Sequence, residues 1–275
     1  RKPGAVLHRQ LITLDLDYSN FDFWSDFELQ YYCAAAMYST HKHSPEAPRY
    51  RLIIPLDREV KADEYEAIAR KIAGKVNIEL FDITTFQPER LMYWPSTSKD
   101  GQYIFEYQDA PFLSADSVLA EYTDWSDSSE WPVSSRVNKI MRRNMVKQGD
   151  PLEKPGVVGA WCRTYTISEV IAEHLSDVYD ECDVEDRYTY KEGSAGAGLI
   201  VYDEKYAYSH HGTDPISGKL CNAFDLVRIH KFGLKDEDVK EGTPSNKLPS
   251  YLAMLDFASK QDRVRVMAAT EKLDQ

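Results

Sequence analysis

Apolar and polar positions change period several times along the chain, and each change marks an element. Leu11 to Tyr18 (LITLDLDY) is an apolar, strand-forming run broken at alternate positions by aspartate, the pattern of a buried strand that carries charge at its end. Phe21 to Tyr32 has helical spacing, and Cys33 to Thr40 (CAAAMYST) and Arg49 to Leu56 (RYRLIIPL) read as a second and a third strand. Tyr65, Ile68, Ala69, Ile72 and Val76 recur at helical intervals, with Glu64, Glu66, Arg70, Lys71 and Lys75 on other faces. That spacing predicts an amphipathic helix over 62–77 lying on a sheet. Ile78 to Phe86 and Arg90 to Trp94 are further strand segments, separated by Gln87-Pro88-Glu89, and Lys99-Asp100-Gly101 predicts a tight turn before a strand at Tyr103 to Tyr107.

The pattern changes after residue 108. From Asp109 to Glu130 the chain carries six acidic side chains and no basic one, and this Ser-rich stretch reads as a linker. Between Ser134 and Lys154 the sign reverses: Arg136, Lys139, Arg142, Arg143, Lys147 and Lys154 face only Asp150 and Glu153. The remainder predicts helices at 166–181, 222–232 and 248–272, the second capped by Asn222, with a small β segment from Gly198 to His211. The expected division is an α+β domain over 1–125 and a mainly helical accessory domain over 126–275.

Composition narrows the function classes. A formal net charge of -12 across 275 residues opposes non-specific attraction of nucleic acid, so any such partner must be held locally. No run approaches the roughly 18 to 20 apolar residues that span a bilayer, and Arg1-Lys2-Pro3-Gly4 opens no signal-peptide pattern, so no membrane partner is expected. A first residue that is not Met points to a piece of a longer polypeptide. Cys33, Cys162, Cys182 and Cys221 are scattered and form no CxxC, which predicts neither disulfides nor a zinc site and suits a reducing cytoplasm.

Chemistry gathers in the first half. On an extended strand Asp15 and Asp17 share a face while Leu14 and Leu16 point to the core, and two carboxylates held that close call for hard cations such as Mg²⁺ or Mn²⁺ between them. A solvated strand end is the plainer reading of a lone DxD. Ser39, His41 and His43 fall on one face if the second strand continues through Tyr38-Ser39-Thr40-His41-Lys42-His43, offering donors to a triphosphate; an exposed loop is the alternative. Arg49 and Arg51 alternate in an apolar strand, where each needs either a phosphate or an acidic neighbour. Asp82 is another acid inside an apolar run, a third carboxylate for the metal pair if its strand lies beside the first, and Arg90 could add a further phosphate contact. The run Arg136, Lys139, Arg142, Arg143 and Lys147 reads either as a nucleic-acid contact or as a solvated helix face. Gly193 to Gly198 has the composition of a phosphate cradle but reads better as a loop before a strand.

The order of these elements, DxD ending a first strand, S-x-H ending a second, an Arg-bearing strand and a lone Asp later, resembles the archaeo-eukaryotic primase superfamily. It is closest to its phage and prophage primase-polymerases, which are often fused to a helicase. The resemblance covers residues 11–95. It implies a ferredoxin-like or RNA-recognition-like antiparallel sheet and a nucleotidyltransferase, a DNA primase or DNA-directed polymerase that copies a single-stranded DNA template from nucleoside triphosphates. Asp15, Asp17 and Asp82 would then bind two Mg²⁺ or Mn²⁺ ions. His41, completing S-x-H with Ser39, would act in catalysis and with Arg51 hold the triphosphate. The segment Pro88-Glu89-Arg90-Leu91-Met92-Tyr93-Trp94-Pro95 looks like the phage branch and brings in Arg90 as a nucleotide contact. A helicase domain in the same polypeptide and a bacterial host cytoplasm follow from the same resemblance.

Two other readings compete. His41-Lys42-His43 approaches the histidine pair of rolling-circle replication nucleases, although Lys42 breaks the motif and the acids and arginines are left without a role. A non-catalytic nucleic-acid adaptor would use the basic run alone.

Overall fold

The computed structural model describes residues 5–240 and 242–273, so Arg1 to Gly4, read above as lacking a signal-peptide pattern, lie outside the described residues. Strand β1 (Arg9–Leu16) alternates fully buried Ile12, Leu14 and Leu16 with Thr13 and Asp15 on the opposite face. Helix α1 (Phe23–Gln30), strand β2 (Ala35–Ser39) and strand β3 (Tyr50–Val60) follow, and β3 buries Tyr50, Leu52, Ile54 and Leu56 on the same side as the leucines of β1. Helix α2 (Ala62–Val76) presents Tyr65, Ile68, Ala69 and Ile72 to this core, as its period predicts. Strand β4 (Phe105–Gln108) completes an antiparallel sheet of order β1-β3-β2-β4.

The succession β-α-β-β-α-β is that of a ferredoxin-like unit, but the sheet departs from the expected order. A ferredoxin-like sheet sets its last strand beside the first, whereas here β4 pairs with β2. The flank of β1 is instead closed by side chains and an irregular segment. Thr13 bonds through its backbone N–H (3.4 Å) and C=O (3.2 Å) to the Tyr65 hydroxyl, Asp15 N–H donates to Thr85 Oγ1 (2.8 Å), and Asp15 C=O accepts from Asp82 N–H (2.8 Å). Those groups satisfy an edge that a paired strand would otherwise have to cover.

Three sequence expectations change here. Ile78 to Phe86 is not a strand but two 3₁₀ turns, Ile78–Leu80 and Ile83–Phe86, because the Asn77 and Asp82 side chains accept from Glu79 and Thr84 N–H and so compete with any ladder. Arg90 to Trp94 has no regular structure. The acidic stretch is not a linker: it forms helix α3 (Ala115–Leu119) and buries Ala115, Val118, Leu119 and Tyr122, with the Tyr122 hydroxyl bonding the Ala67 carbonyl at 2.8 Å. The acids lie on its outer side while the apolar positions carry the packing.

The chain divides into two compact units, Arg1–Lys139 and Ile140–Gln275, so the boundary falls inside helix α4 (Arg136–Gln148) and beyond the expected position near residue 125. In the second unit helix α5 (Gly156–Thr164) and helix α6 (Ile167–His174) precede a five-stranded antiparallel sheet. Its strands are β5 (Tyr179–Glu181), β6 (Arg187–Tyr190), β7 (Leu199–Tyr202), β8 (Tyr206–Ser209) and β9 (Leu220–Asn222), paired in sequence order. The predicted helix over 166–181 therefore stops at His174, and the β segment is larger than expected. Helix α7 (Ala223–Phe232) is capped by Asn222, whose Oδ1 accepts from Asp225 N–H at 2.9 Å. The predicted helix over 248–272 is two, α8 (Pro249–Ser259) and α9 (Asp262–Leu273). Among the described residues no helix is long and apolar enough to cross a membrane.

Candidate active site

Asp15 stands at the end of β1, cross-strand from Arg51 of β3, on the face of the sheet away from the leucine core. Arg51 Nε faces Asp15 Oδ1 at 3.5 Å, a charge contact too long for a good hydrogen bond, so both buried atoms lack a hydrogen-bond partner. The Arg51 guanidinium also donates from Nη1 to the Tyr93 carbonyl (2.9 Å), which accepts the Tyr38 hydroxyl as well (2.9 Å). Asp17 lies just past the strand, where its Oδ1 accepts from Arg49 Nη1 at 2.9 Å. Two acids and two arginines thus alternate along one corner of the sheet.

Asp82 reaches this corner through the backbone, its N–H bonded to the Asp15 carbonyl at 2.8 Å. Its carboxylate caps the following turn, with Oδ1 accepting from Thr84 N–H (2.6 Å) and Thr84 Oγ1 (2.5 Å). Burial pushes the Asp15 carboxyl above its ordinary pKa; Arg51 opposes that shift, and the charges of Asp17 and Asp82 add to it. The paired acids of one strand end and a third from a distant segment therefore act on one another at one place. A cleft of about 340 Å³ opens at Asp15, lined by it, Arg51 and Arg90 together with Gln87, Glu89, Leu91 and Tyr93, while Asp17 and Asp82 stand outside its lining.

The donor types suit a hard divalent cation, and Asp15 Oδ1 has no hydrogen-bond partner beyond its charge contact with Arg51. As the side chains stand, no group of three or more His, Cys, Asp or Glu among the described residues is disposed to hold one ion. The reason is local: Arg49 engages Asp17, and Thr84 engages Asp82. Holding a cation requires these two carboxylates to turn from their present partners.

The S-x-H segment does not stay extended. β2 ends at Ser39 and the chain turns at His41 and Lys42, so Ser39, His41 and His43 do not share an open face. Ser39 is fully buried and accepts from Ile104 N–H at 2.9 Å, while buried His43 accepts the Arg49 N–H on Nδ1 at 3.1 Å and packs on the Tyr50 ring. Both shape the site from behind. His41 alone of the three is exposed.

Arg136 has a different place from the one its basic neighbours suggest. Its guanidinium donates to the Glu79 carbonyl (2.7 Å) and the Phe81 carbonyl (2.5 Å) and lies 3.9 Å from the centroid of the Tyr18 ring. The Glu79 carboxylate accepts from Ser135 N–H (2.7 Å) and Ser134 Oγ (2.9 Å), and those bonds hold its pKa below the usual range. Tyr18 N–H donates to the Leu80 carbonyl (3.1 Å). Residues 79–82 are thereby clamped against the turn that follows the DxD. Lys139, Arg142, Arg143 and Lys147 are exposed on α4.

Sequence reasoning missed Thr85, Glu79, Tyr18 and Tyr38. Each acts through a hydroxyl, carboxylate or ring placed by an irregular segment, and no period in the sequence marks such partners. Gly198, read within a loop, sits against the buried His211 ring, where an added Cβ would meet Nε2 at 2.5 Å; close packing explains that glycine without any phosphate.

Residues 1–134 match the family described as the VapE N-terminal domain, just under half of the chain, and the match fits a phage-type, primase-related family. No curated protein and no solved structure gives a match.

Proposed function

We propose that this chain carries out template-dependent nucleotidyl transfer from nucleoside triphosphates, as a DNA primase or polymerase serving the replication of a phage or mobile element inside a bacterial cell. The observation that carries the reading is Asp15, opposite Arg51 and backbone-bonded to Asp82, at the mouth of a cleft that also holds Arg90. The similarity of residues 1–134 to a phage-type domain supports the replication context.

Arg51 and Arg90 would grip the triphosphate, since a guanidinium offers paired donors to phosphate oxygens and keeps its charge at any working pH. The cleft would hold the α-phosphate in line with a primer hydroxyl, which lowers the barrier by orientation alone. Two Mg²⁺ or Mn²⁺ ions, held by Asp15, Asp17 and Asp82, would supply activation of the hydroxyl and neutralisation of the leaving pyrophosphate. His41, exposed in the turn after β2, would touch the outer phosphates. The single-stranded template and a helicase domain in the same polypeptide complete the proposal.

The rolling-circle reading loses its geometry, because His43 is buried with Nδ1 occupied while His41 is exposed. The deciding experiment supplies primed and unprimed single-stranded templates with each class of triphosphate in Mg²⁺ or Mn²⁺ and resolves the products on a gel. Asp15→Asn and Asp82→Asn are expected to lower incorporation at least about a hundredfold with the circular dichroism spectrum unchanged. Normal synthesis by either variant would overturn the assignment, and a covalent tyrosyl-DNA adduct would restore the nuclease reading.

A further inference from the structure

The register of the four-stranded sheet draws two rows of side chains across the face away from the leucine core, covered at Thr13 and Tyr38 and open at the β4 end. One runs Asp15, Arg51, Tyr38, Phe105 and the next Thr13, Ile53, Ala36, Tyr107, each residue directly opposite its neighbour on the adjacent strand. The other face, with Ile12, Leu14, Leu52, Ile54 and Met37, is buried in the core. At the outer end of both rows, on edge strand β4, Phe105 and Tyr107 are 52% and 66% exposed, with ring centroids 6.0 Å apart and planes 27° from parallel. Tyr93 and Trp94, 73% and 90% exposed, belong to the segment whose Tyr93 carbonyl is tied to Arg51 and Tyr38. Beside the cleft, whose own lining includes the exposed aliphatic Leu91, the further exposed apolar groups are thus flat aromatic rings.

We propose that the open end of this face, centred on Phe105 and Tyr107, is a stacking surface for the unpaired bases of single-stranded DNA, the strand that the Asp15–Arg51 cleft would copy. The use made of the strand rests on the function proposed above; the binding itself does not. Three observations select this occupant. The exposed rings share register rows with the cleft residues, Phe105 standing in line with Asp15 and Arg51 beyond the buried Tyr38: three strand spacings of about 4.8 Å put Phe105 roughly 14 Å from Asp15, a few nucleotides of single strand. Apart from Asp15 and Arg51 the two rows are uncharged, and the exposed Glu106 between the rings belongs to the opposite face of β4, so the acids near a strand lying on the rows are Asp15 and Glu89 of the cleft itself. A chain of formal net charge -12 gains little from long-range attraction of phosphates, and Arg136 is spent on the backbone of residues 79 and 81, so contacts to the bases gain weight over contacts to the phosphates. Aromatic rings provide such contacts, because every base has a π-face.

The test uses the whole chain and a fluorescein-labelled oligothymidylate of roughly sixteen nucleotides, read by anisotropy in EDTA without triphosphate. Phe105→Ala and Tyr107→Ala are each expected to weaken binding about tenfold, and Phe105→Trp to preserve it. An abasic strand of equal length should bind the unaltered protein as weakly as the alanine variants bind the oligothymidylate, and blunt duplex should compete poorly. Arg142→Gln with Arg143→Gln should leave the oligothymidylate affinity within about threefold, a change well below that of losing a stacking ring. Thermal melts check that the alanine variants remain folded. The proposal is overturned if those variants bind as the unaltered chain does, if the abasic strand binds equally well, if no strand binds at all, or if the substitutions instead dissolve a self-association seen by sedimentation. Ring-dependent binding by a protein that incorporates no nucleotide would keep the stacking surface and remove the catalytic reading. Incorporation that is indifferent to both rings would do the reverse.

Discussion

Arg136 separates position from contact. Sequence grouping puts it with four other cations as a nucleic-acid ligand, but two backbone carbonyls and the Tyr18 ring occupy it. Arg136→Gln leaves those carbonyls without a charged donor, which costs on the order of 1.5–3 kcal/mol for hydrogen bonds of this kind. On the proposed reading the variant should also slow turnover more than it weakens triphosphate binding, since the segment bearing Asp82 loses its clamp while Arg51 and Arg90 stay in place. Denaturant melts and a comparison of kcat with KM check the two parts; equal loss in both kinetic constants would argue against a positioning role. Asp15, Asp17, Asp82, Arg49 and Arg51 were legible in the sequence because charges inside strand-forming runs are conspicuous. Ser39 and His43 were misjudged because a strand period was extended past the point where the chain turns.

At the scale of elements, the period-2 and period-3.6 runs located β1, β2, β3, α2 and α7 to within a few residues, because each buries one face against a core. The segments that failed are those whose hydrogen bonds go to side chains. Leu80 to Thr85 looks like a strand by composition, and it does lie along β1, but its bonding alternates between backbone and hydroxyl partners. Thr85→Val tests this directly. It keeps the side-chain shape, removes the acceptor of the Asp15 N–H, and should destabilise the chain by about 1–3 kcal/mol, the cost of an unsatisfied buried donor. Hydrogen exchange at the Asp15 amide should quicken in the same variant, and an unchanged rate would show that another group takes over the bond. The acidic run over 109–130 gives the converse lesson: charge on the outside of a packed segment imitates a linker when apolar positions are not weighed against it.

Over the whole molecule, the two units each keep their own core, and the second carries two histidines held below their usual pKa. Burial is the main cause for both; for His230 it outweighs the attraction of Asp214, which stands 3.5 Å from Nε2, while the Tyr179 hydroxyl lies at 2.8 Å and Asp177 and Lys219 act from farther off. His174 sits among the rings of Trp161, Tyr165 and Phe257. Folding disfavours the protonated form of both, whereas the unfolded chain takes up protons near pH 6.5. Their contribution is therefore complete above that pH and is lost as the pH falls below it, with a slope of up to about 1.4 kcal/mol per pH unit for each histidine. Denaturant unfolding followed at pH 7.5 and 5.5 should show the loss, and His230→Gln should shrink the difference; a variant with the same pH dependence would remove His230 from the account.

The pairing of Asp17 with Arg49 and of Asp15 with Arg51 makes the corner of the sheet a salt already complete within the protein. A magnesium nucleotide is a salt too, and it would enter by double exchange, its cation going to the carboxylates and its phosphates to the guanidinium groups. On the proposed function neither ion could make that trade alone without stranding a charge, so such a cleft would favour the pair over either member and would discriminate against an unaccompanied metal or a bare triphosphate.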